Sequence, residues 1–217
     1  GQRCMAVAGT HGKTTTSTMM AYLLSKSKCG CSAFLGGISK NFDSNLVIDE
    51  KSEYVVVEAD EYDRSFLQLH PFYSVITATD PDHLDIYGTH EAMMDAYVQF
   101  ANQTSPDGRL FIKEQVFMTH EGEPYVEYGH EHHDHEHHGH EHSHHSSLSI
   151  PYSTYTAHGI EADYYAINVR TYNGNIFFDL RTPEGVLFDI EICGTALFNV
   201  ENAVAASAVA LNCGVDQ

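Results

Sequence analysis

At 217 residues and 42% hydrophobic, the chain suffices for one large α/β domain or two small ones, and no apolar run approaches the ~20 residues of a membrane span. Eleven basic residues stand against 30 acidic ones, a formal net charge of −19, which argues against a nucleic-acid-binding or anionic-membrane-binding surface. The five cysteines, Cys4, Cys29, Cys31, Cys193 and Cys213, form no CxxC pair and read as buried or free thiols in a reducing cytoplasm; Cys29-Gly30-Cys31 lacks the second pair that would complete a tetrahedral zinc site.

Met5 to Ala8 predicts a first strand, reached almost at once from Gly1-Gln2-Arg3-Cys4, a start without secretory character. That abruptness places Gly1 at a domain edge, as in a piece of something longer. Gly9-Thr10-His11-Gly12-Lys13-Thr14-Thr15-Thr16 follows, and Thr14 to Lys26 then predicts a helix with Met19, Met20, Leu23 and Leu24 on its buried side. Strand, glycine-bracketed turn, lysine and hydroxyls in that order describe a phosphate-binding loop. The glycines let backbone N–H groups converge on an anion, and the helix start adds its positive end. Lys13 supplies a mobile cation, and Thr14 a hydroxyl for Mg²⁺. Val7 stands where the general motif has its first glycine.

Ser32 to Leu35 predicts a short strand. Gly36-Gly37 behind it fits either a close approach to a ligand or a simple turn. Leu46 to Ile48 is a further short strand. Tyr54 to Val57 and Tyr73 to Ala78 are continuous apolar runs of the kind found in parallel strands covered on both faces. His90 to Asn102 has helical periodicity, and Arg109 to Ile112 returns to strand. Strands alternating with helices imply a parallel sheet with right-handed crossovers. His130 to His145 then holds ten histidines and four acids, which cannot bury a core and predict a solvated insertion. Three more strands, Ala162 to Thr171, Asn175 to Arg181 and Val186 to Ile192, are joined by turns at Tyr172–Asn175 and Thr182–Gly185. An alanine-rich helix, Asn199 to Asn212, closes at Gly214. The expected architecture is therefore α/β: a mostly parallel P-loop-type sheet flanked by helices, with a small appended antiparallel sheet.

Ligands of open α/β sheets sit beyond the carboxyl ends of the strands. Three such ends carry chemistry here: the glycine loop; Glu58 with Asp60, Glu61 and Asp63; and Asp80, Asp82, His83 and Asp85. Hard carboxylate oxygens with Thr14 suit Mg²⁺, and His83 suits a second metal position.

These strings resemble the Mur ligase family. Gly9 to Thr15 is similar to the family's ATP loop, which has the same shortened glycine spacing. Glu58-Ala59-Asp60-Glu61 with Asp63 resembles its acidic strand end, and Asp82-His83-Leu84-Asp85 its second metal motif. Phe198-Asn199-Val200-Glu201-Asn202-Ala203 resembles the helix start whose two asparagines meet the adenine side of ATP. Within the family, Asp60-Glu61-Tyr62-Asp63, Leu67 to Pro71 and Asp80 to His83 most resemble the members that join L-alanine to UDP-N-acetylmuramate in peptidoglycan synthesis. The members that reattach a recycled tripeptide to the same sugar are the alternative.

The resemblance implies that residues 1–217 are the middle of three domains, without the UDP-sugar domain before it or the C-terminal domain after it. It implies a ligase that forms an acyl phosphate on the sugar's lactyl carboxylate and passes it to an amine. Lys13, Glu58 and His83 would be catalytic. Gly9, Thr10, His11, Gly12, Lys13, Thr14, Thr15, Asn199 and Asn202 would hold ATP, and Thr14, Glu58 and His83 would hold Mg²⁺. The isolated chain is expected to bind nucleotide or metal without turnover. Two features depart from the family. Phe198 stands where a histidine usually precedes the first asparagine, so adenine contact there would be by packing. The insertion at 130–145 is foreign to the pattern, and its imidazoles are expected to bind Zn²⁺ or Ni²⁺.

Overall fold

The computed structural model describes residues 1–81, 84–118, 124–128, 146–157 and 162–216. In chain order the elements are β1 (Arg3–Ala8), α1 (Lys13–Ser25), β2 (Ser32–Ser39), β3 (Ser44–Val47), β4 (Tyr54–Glu58), a 3₁₀ segment (Tyr62–Gln68), β5 (Tyr73–Ile76), α2 (Leu84–Tyr87), α3 (His90–Asn102), β6 (Arg109–Lys113), β7 (Val126–Tyr128), β8 (Ser146–Leu148), β9 (Tyr152–Thr156), β10 (Tyr164–Tyr172), β11 (Asn175–Thr182), β12 (Gly185–Cys193) and α4 (Phe198–Asn212).

Ten strands form one sheet in the order β12-β11-β10-β9-β6-β5-β1-β4-β2-β3. From β10 to β2 every neighbouring pair is parallel. The β10-β11-β12 meander at one end and β3 at the other are antiparallel. The expected appended strands are thus present, and they continue the main sheet through the parallel β9–β10 pair. β9 itself joins the two parts and was not anticipated.

β1 shows why the centre is apolar throughout. Met5 and Val7 enter the core beneath α1 and α4, whereas Ala6 and Ala8 enter a second core beneath α3, and all four are fully buried. A parallel strand covered on both faces has no side on which a charge can stay hydrated. On the first face, Ala203, Ala205, Ala206 and Ala208 let α4 lie close to the sheet and to α1. On the second, Phe66 of the 3₁₀ segment stacks on Phe100 at 5.1 Å and meets Tyr97 edge-on at 5.3 Å. Their burial ties the acidic connection after β4 to α3.

β1 has β4 on one side and β5 on the other. The three carboxyl ends therefore lie side by side, although those of β4 and β5 are 50 and 68 positions beyond that of β1 in sequence. This is where strand order reverses, the usual crevice of an open α/β sheet.

Candidate functional site

The loop after β1 depends on its two glycines. Gly9 has φ +136° and Gly12 φ +84°, both in the range that favours glycine. Space makes the same demand. A Cβ on Gly9 would run into the Thr77 hydroxyl and come within 2.8 Å of the Ala78 nitrogen, and one on Gly12 would lie 2.7 Å from Asn202 Oδ1. The loop is thus pressed between the end of β5 and the start of α4. Thr10 N–H donates to the Ala78 carbonyl at 3.0 Å, and the Thr77 hydroxyl donates to the His11 and Ala8 carbonyls. α1 starts at Lys13 with no side-chain cap and no acid in its first turn, leaving its positive end open to an anion.

Lys13 Nζ folds back over this loop. It donates to the Gly9 carbonyl at 2.7 Å and to both carboxylate oxygens of Glu61 at 2.8 Å. Glu61 is 1% exposed, and the Lys13 side chain 19%. The Tyr87 hydroxyl donates to the Glu61 carbonyl at 2.6 Å; burial, with Glu61's charge adding, pushes the Tyr87 phenol up to about 12, so it keeps its proton.

Glu58, at the end of β4, faces the first turn of α1. Thr14 Oγ1 donates to its Oε2 at 3.0 Å, Ser17 Oγ to its Oε1 at 3.1 Å, and the Gly36 N–H to Oε1 at 2.6 Å. Gly36 resolves the two readings of the glycine pair in favour of close approach, but to a side chain: a Cβ there would sit 2.8 Å from Glu58 Cδ. The 3.0 Å separation of the Thr14 and Glu58 oxygens matches the ~3 Å edge of an octahedron with Mg–O distances of about 2.1 Å. Among the described residues, no group of three or more His, Cys, Asp or Glu is placed to hold a metal by itself. Mg²⁺ usually needs one or two carboxylates, with phosphate and water completing its shell, so this pair suits a metal that arrives with a nucleotide.

α4 brings the third wall. Asn202 Oδ1 accepts from Thr16 Oγ1 at 3.2 Å, and Asn202 Nδ2 donates to Asn199 Oδ1 at 3.3 Å. Leu197 and Phe198 in front of them are 61% and 72% exposed, leaving an apolar surface free at the helix start. Deeper in, Lys113 at the end of β6 pairs with Glu201 at 2.9 Å and fixes that helix start to the sheet. His11 is exposed and stands 3.6 Å from Asp80, whose N–H donates to Thr10 Oγ1 at 3.2 Å. Thr15 lies half-buried in the first turn of α1. A cleft of about 340 Å³ opens beside the loop, lined by Thr79, Asp80, His90, Lys113 and Val116 among others.

The structure therefore brings Gly9 to Thr16, Glu58, Asn199 and Asn202 together. His83 and Asp82 lie outside the described residues, as does the histidine-rich segment 130–145. Sequence reasoning missed Ser17 and Thr77 as supports of the site, and it did not distinguish Glu61 from its acidic neighbours. A serine one helical turn beyond Thr14 and a threonine at the end of an apolar strand were the signals available.

A model of the Mur ligase middle domain matches residues 7–210. The UDP-N-acetylmuramate–L-alanine ligases of Phocaeicola vulgatus and Parabacteroides distasonis are each 44% identical to the chain, over 97% and 98% of its length. It spans only 40% and 41% of theirs, about two fifths of the length of these relatives. Among solved structures, the UDP-N-acetylmuramate–alanine ligase of Thermotoga maritima superposes with a TM-score of 0.71 at 22% identity, covering 99% of this chain and 42% of that one. The UDP-N-acetylmuramate:L-alanyl-γ-D-glutamyl-meso-diaminopimelate ligase of Neisseria meningitides gives 0.69, also at 22%, covering 99% and 63%. At that identity the two structures speak for the fold alone, and the family rests on the sequence matches: the chain belongs to the Mur ligases, as their middle domain.

Proposed function

We propose that the chain is the ATP- and Mg²⁺-binding part of a longer cytoplasmic enzyme that joins L-alanine to UDP-N-acetylmuramate in peptidoglycan synthesis. The observation that carries this is the Thr14–Glu58 contact beside the Lys13 loop. It sets a hard two-oxygen ligand pair next to a loop whose Gly9 and Gly12 have no room for a side chain against Thr77 and Asn202. The 44% identity to L-alanine ligases over nearly the whole chain supports the acceptor.

In this reading the loop N–H groups and the start of α1 bind the phosphates. Lys13 lies against the terminal ones and balances charge as a phosphoryl group moves to the sugar's carboxylate. Thr14 and Glu58 hold Mg²⁺, with Ser17 and Gly36 fixing the carboxylate's orientation, and His83 serves a second metal. Bound Mg²⁺ supplies charge neutralisation of the phosphates. Asn199 and Asn202 orient the base, with Phe198 packing against it. The chain spans about two fifths of the length of the L-alanine ligases it matches, and on its own it is expected to bind nucleotide without ligating.

The test is an assay of the full-length protein with ATP, Mg²⁺ and UDP-N-acetylmuramate, comparing L-alanine with the tripeptide L-alanyl-γ-D-glutamyl-diaminopimelate. Phosphate release driven by L-alanine is expected, and Thr14→Val or Glu58→Gln should lower kcat/KM by about 10²–10³. Faster turnover of the tripeptide moves the enzyme to the recycling activity. No ADP formation with either acceptor overturns the ligase reading.

A further inference from the structure

An ammonium group has three protons and no acceptor capacity. Three acceptors already face Lys13 Nζ: the Gly9 carbonyl at 2.7 Å and the two Glu61 oxygens at 2.8 Å. A phosphate that engages Lys13 must therefore take over at least one of these contacts. Glu61 is poorly placed to follow Lys13 outward. It is 1% exposed and its carbonyl is held by Tyr87. The chain beyond it turns back through Asp63 and Arg64, both at φ +57°, with Arg64 N–H donating to the Glu61 carbonyl at 3.1 Å. Phe66, five residues beyond Glu61, is locked in the aromatic core. If Lys13 withdrew completely, a buried carboxylate would give up a charge-assisted contact to both of its oxygens, an unfavourable change.

We infer that Glu61 is a positioning residue: an internal counter-ion occupying the place on Lys13 that a nucleotide's terminal phosphates take, and keeping one oxygen on Lys13 when they do. This rests on the reading of the loop as a nucleotide site. The contact sets a threshold. Nucleotide gains Lys13 only against a fixed anion, and the ammonium stays tethered at the loop instead of swinging into solvent. Removing the charge should make nucleotide bind more tightly and release the enzyme from its need for an acceptor.

The experiment uses the full-length protein with Glu61→Gln and Glu61→Asp. The first keeps the shape and removes the charge. The second keeps the charge but is one methylene too short to grip Lys13 with both oxygens. Affinities for ADP and for a non-hydrolysable ATP analogue are measured by calorimetry with Mg²⁺, together with ATP hydrolysis in the absence of acceptor. Glu61→Gln is expected to bind the ATP analogue at least fivefold more tightly and to raise acceptor-free hydrolysis at least threefold; Glu61→Asp should tighten binding by at least twofold. Circular dichroism and melting establish that each variant is folded, and if Glu61→Gln fails to fold, Glu61→Asp decides alone. Unchanged or weaker nucleotide binding by a folded variant overturns the counter-ion role. Absence of nucleotide binding by the unmodified protein refutes instead the reading of the site on which the inference rests.

Discussion

Gly36 faces the Glu58 carboxylate with no room for a methyl group between them. An alanine there must push Glu58 off the Gly36 N–H and away from Thr14, while the strand around it, exposed at this position, loses little. Gly36→Ala is expected to weaken Mg²⁺-dependent nucleotide binding at least tenfold at a stability cost of about 1 kcal/mol or less. Calorimetry with and without Mg²⁺ checks it, and unchanged affinity would remove Glu58 from the metal site. The cysteines give a second residue-scale expectation. Burial pushes the thiols of Cys31 and Cys213 up to about 12 and that of Cys4 to about 11. A raised thiol pKa means the neutral, unreactive form persists far above neutrality, and only as pH climbs toward 11–12 does thiolate appear. At pH 8, exposed Cys193 should react rapidly with a disulfide reagent, whereas Cys4, Cys31 and Cys213 should react only after unfolding. Rapid titration of all five in the native protein would contradict the packing described. Residue identity was legible where chemistry is local: Gly9, Gly12, Lys13 and Thr14 follow one another in sequence. The Lys13–Glu61 pair was not, because it spans 48 positions. Which member of Glu58-Ala59-Asp60-Glu61 points inward depends on a turn that uses left-handed conformations at Asp63 and Arg64, neither of them a glycine.

The 3₁₀ segment Tyr62–Gln68 is the element on which the acidic strand end depends, and Phe66 is what attaches it. Phe66→Ala would leave a cavity among Phe100, Tyr97 and α3, with an expected destabilisation of about 3–5 kcal/mol. Denaturant unfolding measures it; a loss below about 1 kcal/mol would mean that the segment is not anchored to the core. Most elements could be read from their patterns because burial on both faces forces an unbroken apolar run, as in Tyr54-Val55-Val56-Val57, and because Met93, Met94, Tyr97 and Ala101 recur at helical spacing in α3. β9 escaped for the complementary reason. Its sequence is Tyr-Ser-Thr-Tyr-Thr, and its buried positions include Ser153 and Thr156, hydroxyl residues that read as loop next to a polar insertion. The Ser153 hydroxyl is satisfied by Arg109, a partner on the neighbouring strand β6 that only pairing supplies. With β9 unread, the way the sheet continues into β10 could not be inferred, and the last three strands read only as a small sheet appended to the parallel one.

Across the whole molecule, the two strands that flank the insertion are set apart from the machinery. β7 and β8 are paired with each other and lie outside the ten-stranded sheet, with Leu148 and Val126 packed into the core beneath α3. They run parallel, Val126 beside Ser146 and Tyr128 beside Leu148. A chain leaving β7 at Tyr128 must therefore come back roughly the length of two residues, about 7 Å, and step sideways about 5 Å to enter β8. A flexible bridge of six to eight glycines and serines spans that gap with slack. Replacing residues 130–145 with such a bridge should leave the melting temperature and the nucleotide affinity unchanged, because Lys13, Glu58 and Asn202 are held by β1, β4, β5 and α4, none of which touches β7 or β8 among the contacts described. The same replacement should abolish high-capacity Zn²⁺ or Ni²⁺ binding, since it removes ten of the chain's 16 histidines together with their interleaved acids. Calorimetric titration with each metal, before and after replacement, separates the two properties. If nucleotide affinity fell with the insertion, the segment would belong to the site; if metal binding survived its loss, the metal would be held by residues elsewhere in the chain.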